Sequence, residues 1–272
     1  MRKLQSIPMP MPKFDEGGVG GRNFSKFLPP RSYPFSLVAG IFLVWLISTE
    51  GGFVYAFILP SPVAVARAFV ADFHLLVRHG AVTLGEAVLG LLFSLLAAFV
   101  ASVAMDRYTY WRKALYPVLV ISQAVPYIAI APLLVLWLGH GMEPRVVLVA
   151  LTCFFPLVVG LYDGILHIRR EYLEELQMMG GSHWAGLVRV KLPLAAPGFF
   201  SGLKIAATYS FVGAVIAGWV GGTTGLGVYM TRVRRTFEFD KMFAVIIFIV
   251  LISLLLMYGV KFLEKRLTKY VI

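Results

Sequence analysis

Leu166-His-Ile-Arg-Arg-Glu-Tyr-Leu-Glu-Glu-Leu-Gln-Met-Met-Gly-Gly-Ser-His-Trp-Ala-Gly-Leu-Val-Arg-Val-Lys-Leu-Pro193 is a polar stretch set between two apolar ones. Residues 145–166 precede it and 199–220 follow it, and both runs carry almost no charge. Each is close to the roughly 20 residues a helix needs to cross a bilayer. The chain therefore leaves a membrane at Leu166 and re-enters it after Pro197, which makes it an all-α integral membrane protein.

Composition agrees with that reading. Of 272 residues, 59% are hydrophobic and 14% charged, with mean hydropathy +0.80. A soluble domain has about a quarter of its residues charged. The net charge of +11 does not indicate nucleic acid, because Lys and Arg fall in short blocks between apolar runs rather than along one face. Cys153, the only cysteine, lies in an apolar run. It excludes an intrachain disulfide and offers neither a thiol nucleophile nor a metal site.

Working outward from the central stretch, six apolar runs read as a six-transmembrane-helix bundle: 33–49, 83–105, 114–138, 145–166, 199–220 and 242–262. Pro117, Pro126 and Pro132 predict a kinked or broken third helix. Residues 1–32, rich in Pro and Gly and without a compact apolar region, read as a flexible tail and not a secretory signal. Residues 33–272 read as a single transmembrane domain. The stretch Ser61–Val77 predicts an interfacial amphipathic helix. Of the 25 Lys and Arg, eighteen fall on the side of the two termini and the 166–198 loop, and seven on the other. That imbalance predicts a multi-pass membrane protein with both termini and the loop cytoplasmic.

Ionisable groups are scarce at the span centres. Asp106, Glu143, Arg145 and Asp163 sit at predicted ends, Glu86 within a turn of a boundary, and Lys204 is placed to snorkel to the interface. This argues against an autonomous ion-coupled carrier. The glycine-rich run Gly221–Gly227 is not followed by Gly-Lys-Ser/Thr, so it reads as a tight turn and not a nucleotide site. No convergent His, Asp or Glu cluster marks an enzyme. In the fifth run, Gly198, Gly202, Ala206, Ser210, Ala214, Gly218 and Gly222 recur every fourth residue. Such a stripe reads either as a close contact beside a translocation pathway or as ordinary bundle packing. Gln123, Pro126 and Tyr127 in the third run read either as pathway lining or as a structural kink. Arg232, Arg234 and Arg235 could attract an anion, contact a partner, or face water, with Glu238 and Asp240 nearby.

Within the central stretch, residues 171–179 predict a short amphipathic helix with Tyr172, Leu173, Leu176 and Met179 on one face. Gly180-Gly181 predicts its stop and a sharp turn, and Ser182 the N-cap of a second short helix, ended by Pro193 and Pro197. The stretch resembles the cytoplasmic signature of the permease subunits of ATP-binding-cassette (ABC) importers: Glu-Ala-Ala, three residues, Gly, nine residues, Ile-x-Leu-Pro. Glu174-Glu175-Leu176 takes the first place, Gly180 follows after three residues, and Val190-Lys191-Leu192-Pro193 after nine more. Glu175 and Leu176 replace the two alanines, and Val190 the isoleucine.

Gln123-Ala-Val-Pro126, Ala131-Pro132-Leu133, Trp137-Leu-Gly-His-Gly141, Phe154-Phe155-Pro156 and Gly225-Leu226-Gly227 are similar to the nitrate/sulfonate/taurine branch of that family. The branch includes permeases for thiamine-precursor pyrimidines and riboflavin. Its frequent Ala-Glu pair is Ala217-Gly218 here, so a role for that carboxylate does not carry over.

The resemblance implies a bundle of the type I importer permease class and no catalytic or metal site on this chain. ATP and Mg would bind a partner ATPase. The further partners implied are an extracytoplasmic solute-binding protein, a second permease subunit forming a homodimer, and membrane lipid, with no nucleic acid. Glu174, Glu175, Gly180, Gly181, Leu192 and Pro193 would couple to the ATPase, with Gln123, Pro126, Tyr127, Ser210 and Ala214 along the pathway. The solute would be a small molecule such as a pyrimidine or a sulfonate-, nitrate- or taurine-type anion. The alternative is a secondary transporter or channel that works without an ATPase.

Overall fold

A computed structural model describes residues 33–55 and 57–268. The tail predicted over 1–32 lies outside the described residues. The chain divides after Phe53 into two units. In the first, α1 (Tyr33–Glu50) is an apolar helix without charge before Glu50, its last turn closed by Thr49 donating to the Trp45 carbonyl at 2.9 Å.

The second unit opens with α2 (Pro62–Ala71), capped by Ser61 accepting from Ala64 N–H at 3.3 Å. This helix covers part of the stretch expected to form an amphipathic helix and is shorter than expected. It gives way at Asp72 to α3 (Phe73–Arg107), which starts ten residues before the predicted span. His74, Arg78 and His79 mask that start in a hydropathy reading, although their backbone is helical. At 35 residues, α3 is about 50 Å long and exceeds the roughly 30 Å bilayer core. Glu86 therefore lies well inside the helix and not beside its end.

The third predicted span is two helices, α4 (Thr109–Ser122) and α5 (Tyr127–Leu138), bent by 102° at the Gln123–Pro126 break. Proline supplies no N–H there and disfavours helix in the residue before it. Next come α6 (Glu143–Leu166), α7 (Arg170–Met178), α8 (His183–Gly186), α9 (Leu192–Val220), α10 (Leu226–Arg235) and α11 (Phe239–Leu267). Among the described residues, four helical stretches are long and apolar enough to cross a membrane, or up to five if the bent α4–α5 pair is one span. The first predicted span corresponds to the shorter apolar helix Ser36–Glu50.

Pro193 and Pro197 do not end a helix as expected. A π-helical turn at Leu187–Lys191 joins α8 to α9, giving one run from Trp184 to Val220. The wider turn absorbs carbonyls that proline leaves without a donor.

The core is built on α6 and α9, which run antiparallel, with α3 parallel to α6. Gly160 and Gly164 of α6 face Gly198 and Gly202 of α9. A Cβ on Gly160 would lie 2.8 Å from the Gly198 carbonyl oxygen, and one on Gly198 would lie 2.7 Å from that of Gly160. Only hydrogen at these positions permits such backbone approach. Farther along, Cys153 lies against the Ala206 carbonyl at 3.3 Å, and Leu157, Phe211 and Val245 fill the centre. Lys204 does not simply reach for the interface: it is paired with Glu264 of α11 at 3.0 Å.

Candidate functional site: an exposed loop and a groove

The loop folds as two short helices around a glycine turn. In α7, Leu173 and Leu176 face inward, and a Cβ on Gly186 would touch Leu176 at 3.5 Å and Leu173 at 3.9 Å. Gly180 has φ +78°, a left-handed backbone that side chains resist. Gly181 N–H donates to the Leu176 carbonyl at 2.9 Å, closing the α7 end. Ser182 accepts from Ala185 N–H at 3.2 Å, the expected N-cap of α8.

Glu174 and Glu175 are exposed. So are three apolar side chains: Met178 at 81%, Met179 at 84% and Trp184 at 65%. Leu192 is half-buried and packs against Leu161, Ile165 and Ala195 at the foot of α6, and Pro193 is half-buried beside it. Thus Glu174, Glu175 and Gly180 belong to a free surface, while Leu192 and Pro193 belong to the joint with the bundle. At that joint, Lys191 binds both carboxylate oxygens of Asp106, at 2.6 and 2.8 Å, tying the loop to the end of α3.

A groove of about 980 Å³ runs along α5, α6 and α9. It reaches Asp163, His167 and Leu194 at the loop end and stops near Leu148 and Ile216 at the other. Gln123 and Tyr127 line it, joined by a 3.2 Å hydrogen bond from Gln123 Nε2 to the Tyr127 hydroxyl. Ser210 and Ala214 do not line it. They turn into the bundle, where Ser210 donates to the Ala207 carbonyl at 2.9 Å. Their neighbours Tyr209, Val212, Gly213 and Ile216 form the α9 wall of the groove. Pro126, exposed, marks the start of α5.

At the far end, α10 is held by its apolar face, including Leu226, Tyr229 and Val233. Tyr229 donates to Asp72 at 2.5 Å, and burial followed by this hydrogen bond pushes its phenol up, so it stays protonated. Glu238 pairs with Lys241 at 2.7 Å and accepts from Thr236 at 2.8 Å. These two bonds hold its carboxyl below the usual range. Glu238 thus serves Lys241 and not Arg232, Arg234 and Arg235, which are exposed.

One feature escaped the sequence reading. Glu86 of α3 and Arg145 of α6 form a salt bridge at 1% and 5% exposure. Arg145 also donates to the Thr224 carbonyl at 3.0 Å. A carboxylate inside an apolar run was itself the signal, since it demands a partner.

Residues 90–269 match the model of the binding-protein-dependent transport system inner membrane component family. The chain belongs to this family. It is 37% identical over 234 residues, covering 86% of this chain and 95% of the relative, to a probable ABC transporter permease protein of Haemophilus influenzae. It is 33% identical over 212 residues to the formylaminopyrimidine transport permease protein ThiX of Halalkalibacterium halodurans, covering 78% of this chain and 85% of that one. The riboflavin transport system permease protein RibX of Chloroflexus aurantiacus is 34% identical over 217 residues, covering 79% and 81%.

An inward-facing structure of the MetNI methionine ABC transporter shares the fold. Its TM-score is 0.59 at 19% identity, covering 74% of this chain and 98% of that one. The protein is thus a multi-pass permease subunit of an ABC importer, a family that works with an ATPase and a binding protein.

Proposed function

We propose that two copies of this permease form the pathway for a small heteroaromatic solute, and that a partner ATPase drives them by docking on the α7–α8 loop. The observation that carries the coupling half is the loop surface, where Glu174, Met178, Met179 and Trp184 are all exposed around a turn at Gly180. Exposed apolar side chains ringed by polar ones fit a protein interface. Glu174 acts as the polar tether and Gly180 as the turn. ATP and Mg are held by the partner.

The loop and both termini face the cytoplasm, α1 supplies a sixth span, and residues 33–272 act as one transmembrane domain. The Lys and Arg distribution supports this orientation. ATP-driven closure of the ATPases moves the loops as levers and switches access, a rigid-body transition between two packings. Lys191–Asp106 carries that movement into α3.

The solute half rests on the groove. Tyr127, Phe155 and Tyr209 line it, no lysine or arginine does among the described residues, and Asp163 lies at the loop end. Aromatic, mostly apolar walls with a few hydrogen-bonding groups suit a planar uncharged ring better than a nitrate or sulfonate anion. The relatives named for formylaminopyrimidine and riboflavin transport support the same class. Purification of the permease from its native membrane, followed by calorimetry on the binding protein that associates with it, tests both halves. An ATPase should co-purify and the binding protein should take a pyrimidine-like ligand. Transport by the purified chain without an ATPase would overturn the first half, and tight nitrate or taurine binding the second.

A further inference from the structure

The groove is closed at the end away from the loop. Beyond Ile216, an apolar plug of Ala131, Leu134, Leu148 and Ala217 fills the space between α5, α6 and α9. Over this plug lies the Gly221–Gly225 turn: a Cβ on Gly221 would sit 3.1 Å from the Val135 side chain of α5. Polar groups from α3 and α6 bind the backbone at the end of the turn and the start of α10. Arg145 donates to the Thr224 carbonyl at 3.0 Å. Gly225 N–H donates to His79 Nδ1 at 3.1 Å and Leu226 N–H to Thr83 Oγ1 at 2.9 Å. Glu86 holds Arg145 in place. His79, Thr83 and Glu86 recur at helical spacing and so share one face of α3. Gly222, at φ +118°, lets the backbone pass the guanidinium, where a Cβ would collide.

The pair is not built as a simple structural bond. Glu86 Oε2 and Arg145 Nε are buried without a hydrogen-bond partner among the described residues. A buried ion pair left incomplete adds little stability over an apolar pair of the same volume, yet losing one partner is severely destabilising. Such a pair suits an element that must hold one arrangement and release it.

We propose that Glu86 and Arg145 are positioning residues of the transport cycle, latching the Gly221–Gly225 turn over the plug as the closure of the groove on the side away from the ATPase. The proposal rests on the permease reading above. Opening to that side requires the turn to leave Arg145, His79 and Thr83 together, while α10 swings with it. The glycines at 221, 222 and 225 serve as the hinge.

The test places a cysteine at the fully buried Leu226, in a chain whose buried Cys153 is replaced by alanine, and follows labelling by a membrane-impermeant maleimide. The full transporter is kept in its native membrane and the reagent added outside. Leu226→Cys should label slowly in the parent. Glu86→Gln should speed labelling about a hundredfold, in line with the loss of one partner of a buried pair. Arg145→Lys keeps a cation beside Glu86 but gives up the planar guanidinium whose Nη1 reaches both Glu86 and the Thr224 carbonyl, and should speed it about tenfold. Because Arg145→Lys retains the ion pair, it decides the matter if Glu86→Gln fails to insert. Rapid labelling of the parent, or unchanged rates in the inserted variants, overturns the latch. ATPase co-purification from the same membranes reports separately on the permease reading: faster labelling without an ATPase leaves the latch standing and removes the importer, and unchanged labelling in an assembled complex does the reverse.

Discussion

The two ends of the bundle are built on opposite principles. At the loop end, the 170–186 segment presents exposed Met178, Met179 and Trp184, and its fastening to the bundle includes the Lys191–Asp106 bridge and the Leu192 joint. At the far end, the Gly221–Gly225 turn and Leu226 after it send hydrogen bonds inward to Arg145, His79 and Thr83. In the proposed reading a partner completes the first end, whereas the second is completed by the chain's own hydrogen bonds. An element that must be moved from outside needs a surface and a firm joint. An element that must stay shut between cycles needs internal bonds that break together.

The largest effect is expected from removing one partner of the buried pair. Arg145→Met should lower stability by about 3 kcal/mol or more, by leaving Glu86 charged and unpaired, and a thermal-unfolding scan of the purified permease would register it. Stability equal to the parent would erase the distinction between the ends. Next comes the spine that joins them: Gly202→Leu drives a side chain into the Pro156 carbonyl across α6 and α9. Overpacking of this kind costs about 1–3 kcal/mol, so the yield of inserted protein should fall, and an unchanged yield would mean that α6 and α9 part easily. The smallest stability change is expected from Asp106→Asn, a neutral isostere that can still accept a hydrogen bond from Lys191, at a cost on the order of 1 kcal/mol. Its coupling effect should exceed that: transport per ATP hydrolysed should drop with insertion intact. Parent-like coupling would confine transmission to the Leu192 joint.

Much of this was legible in the residues. The break at Gln123–Pro126, the turn at Gly180-Gly181 and the Ser182 cap rest on local backbone chemistry, and each lies where local rules put it. The small-residue stripe is also legible as a packing face, but not in its direction. A four-residue period drifts around a 3.6-residue helix, so Gly198 and Gly202 meet α6 while Ser210 and Ala214 face the core. The continuous helix through Pro193 and Pro197 was hidden because a π turn, with no signal of its own, absorbs the prolines. The Glu86–Arg145 latch joins residues 59 apart in sequence. Glu86 announces that a partner exists, but choosing Arg145 required knowing that α3 and α6 run parallel.

The most direct test of the coupling reading is solute-stimulated ATP hydrolysis by the reconstituted transporter carrying Gly180→Asp. Position 180 requires a left-handed backbone and has open space around it, so the substitution distorts the turn without crowding the bundle. The permease should insert at parent levels and keep its groove, while stimulation by the loaded binding protein should be lost. Full stimulation in that variant would contradict the assignment of the α7–α8 loop as the element through which the ATPase moves the membrane helices.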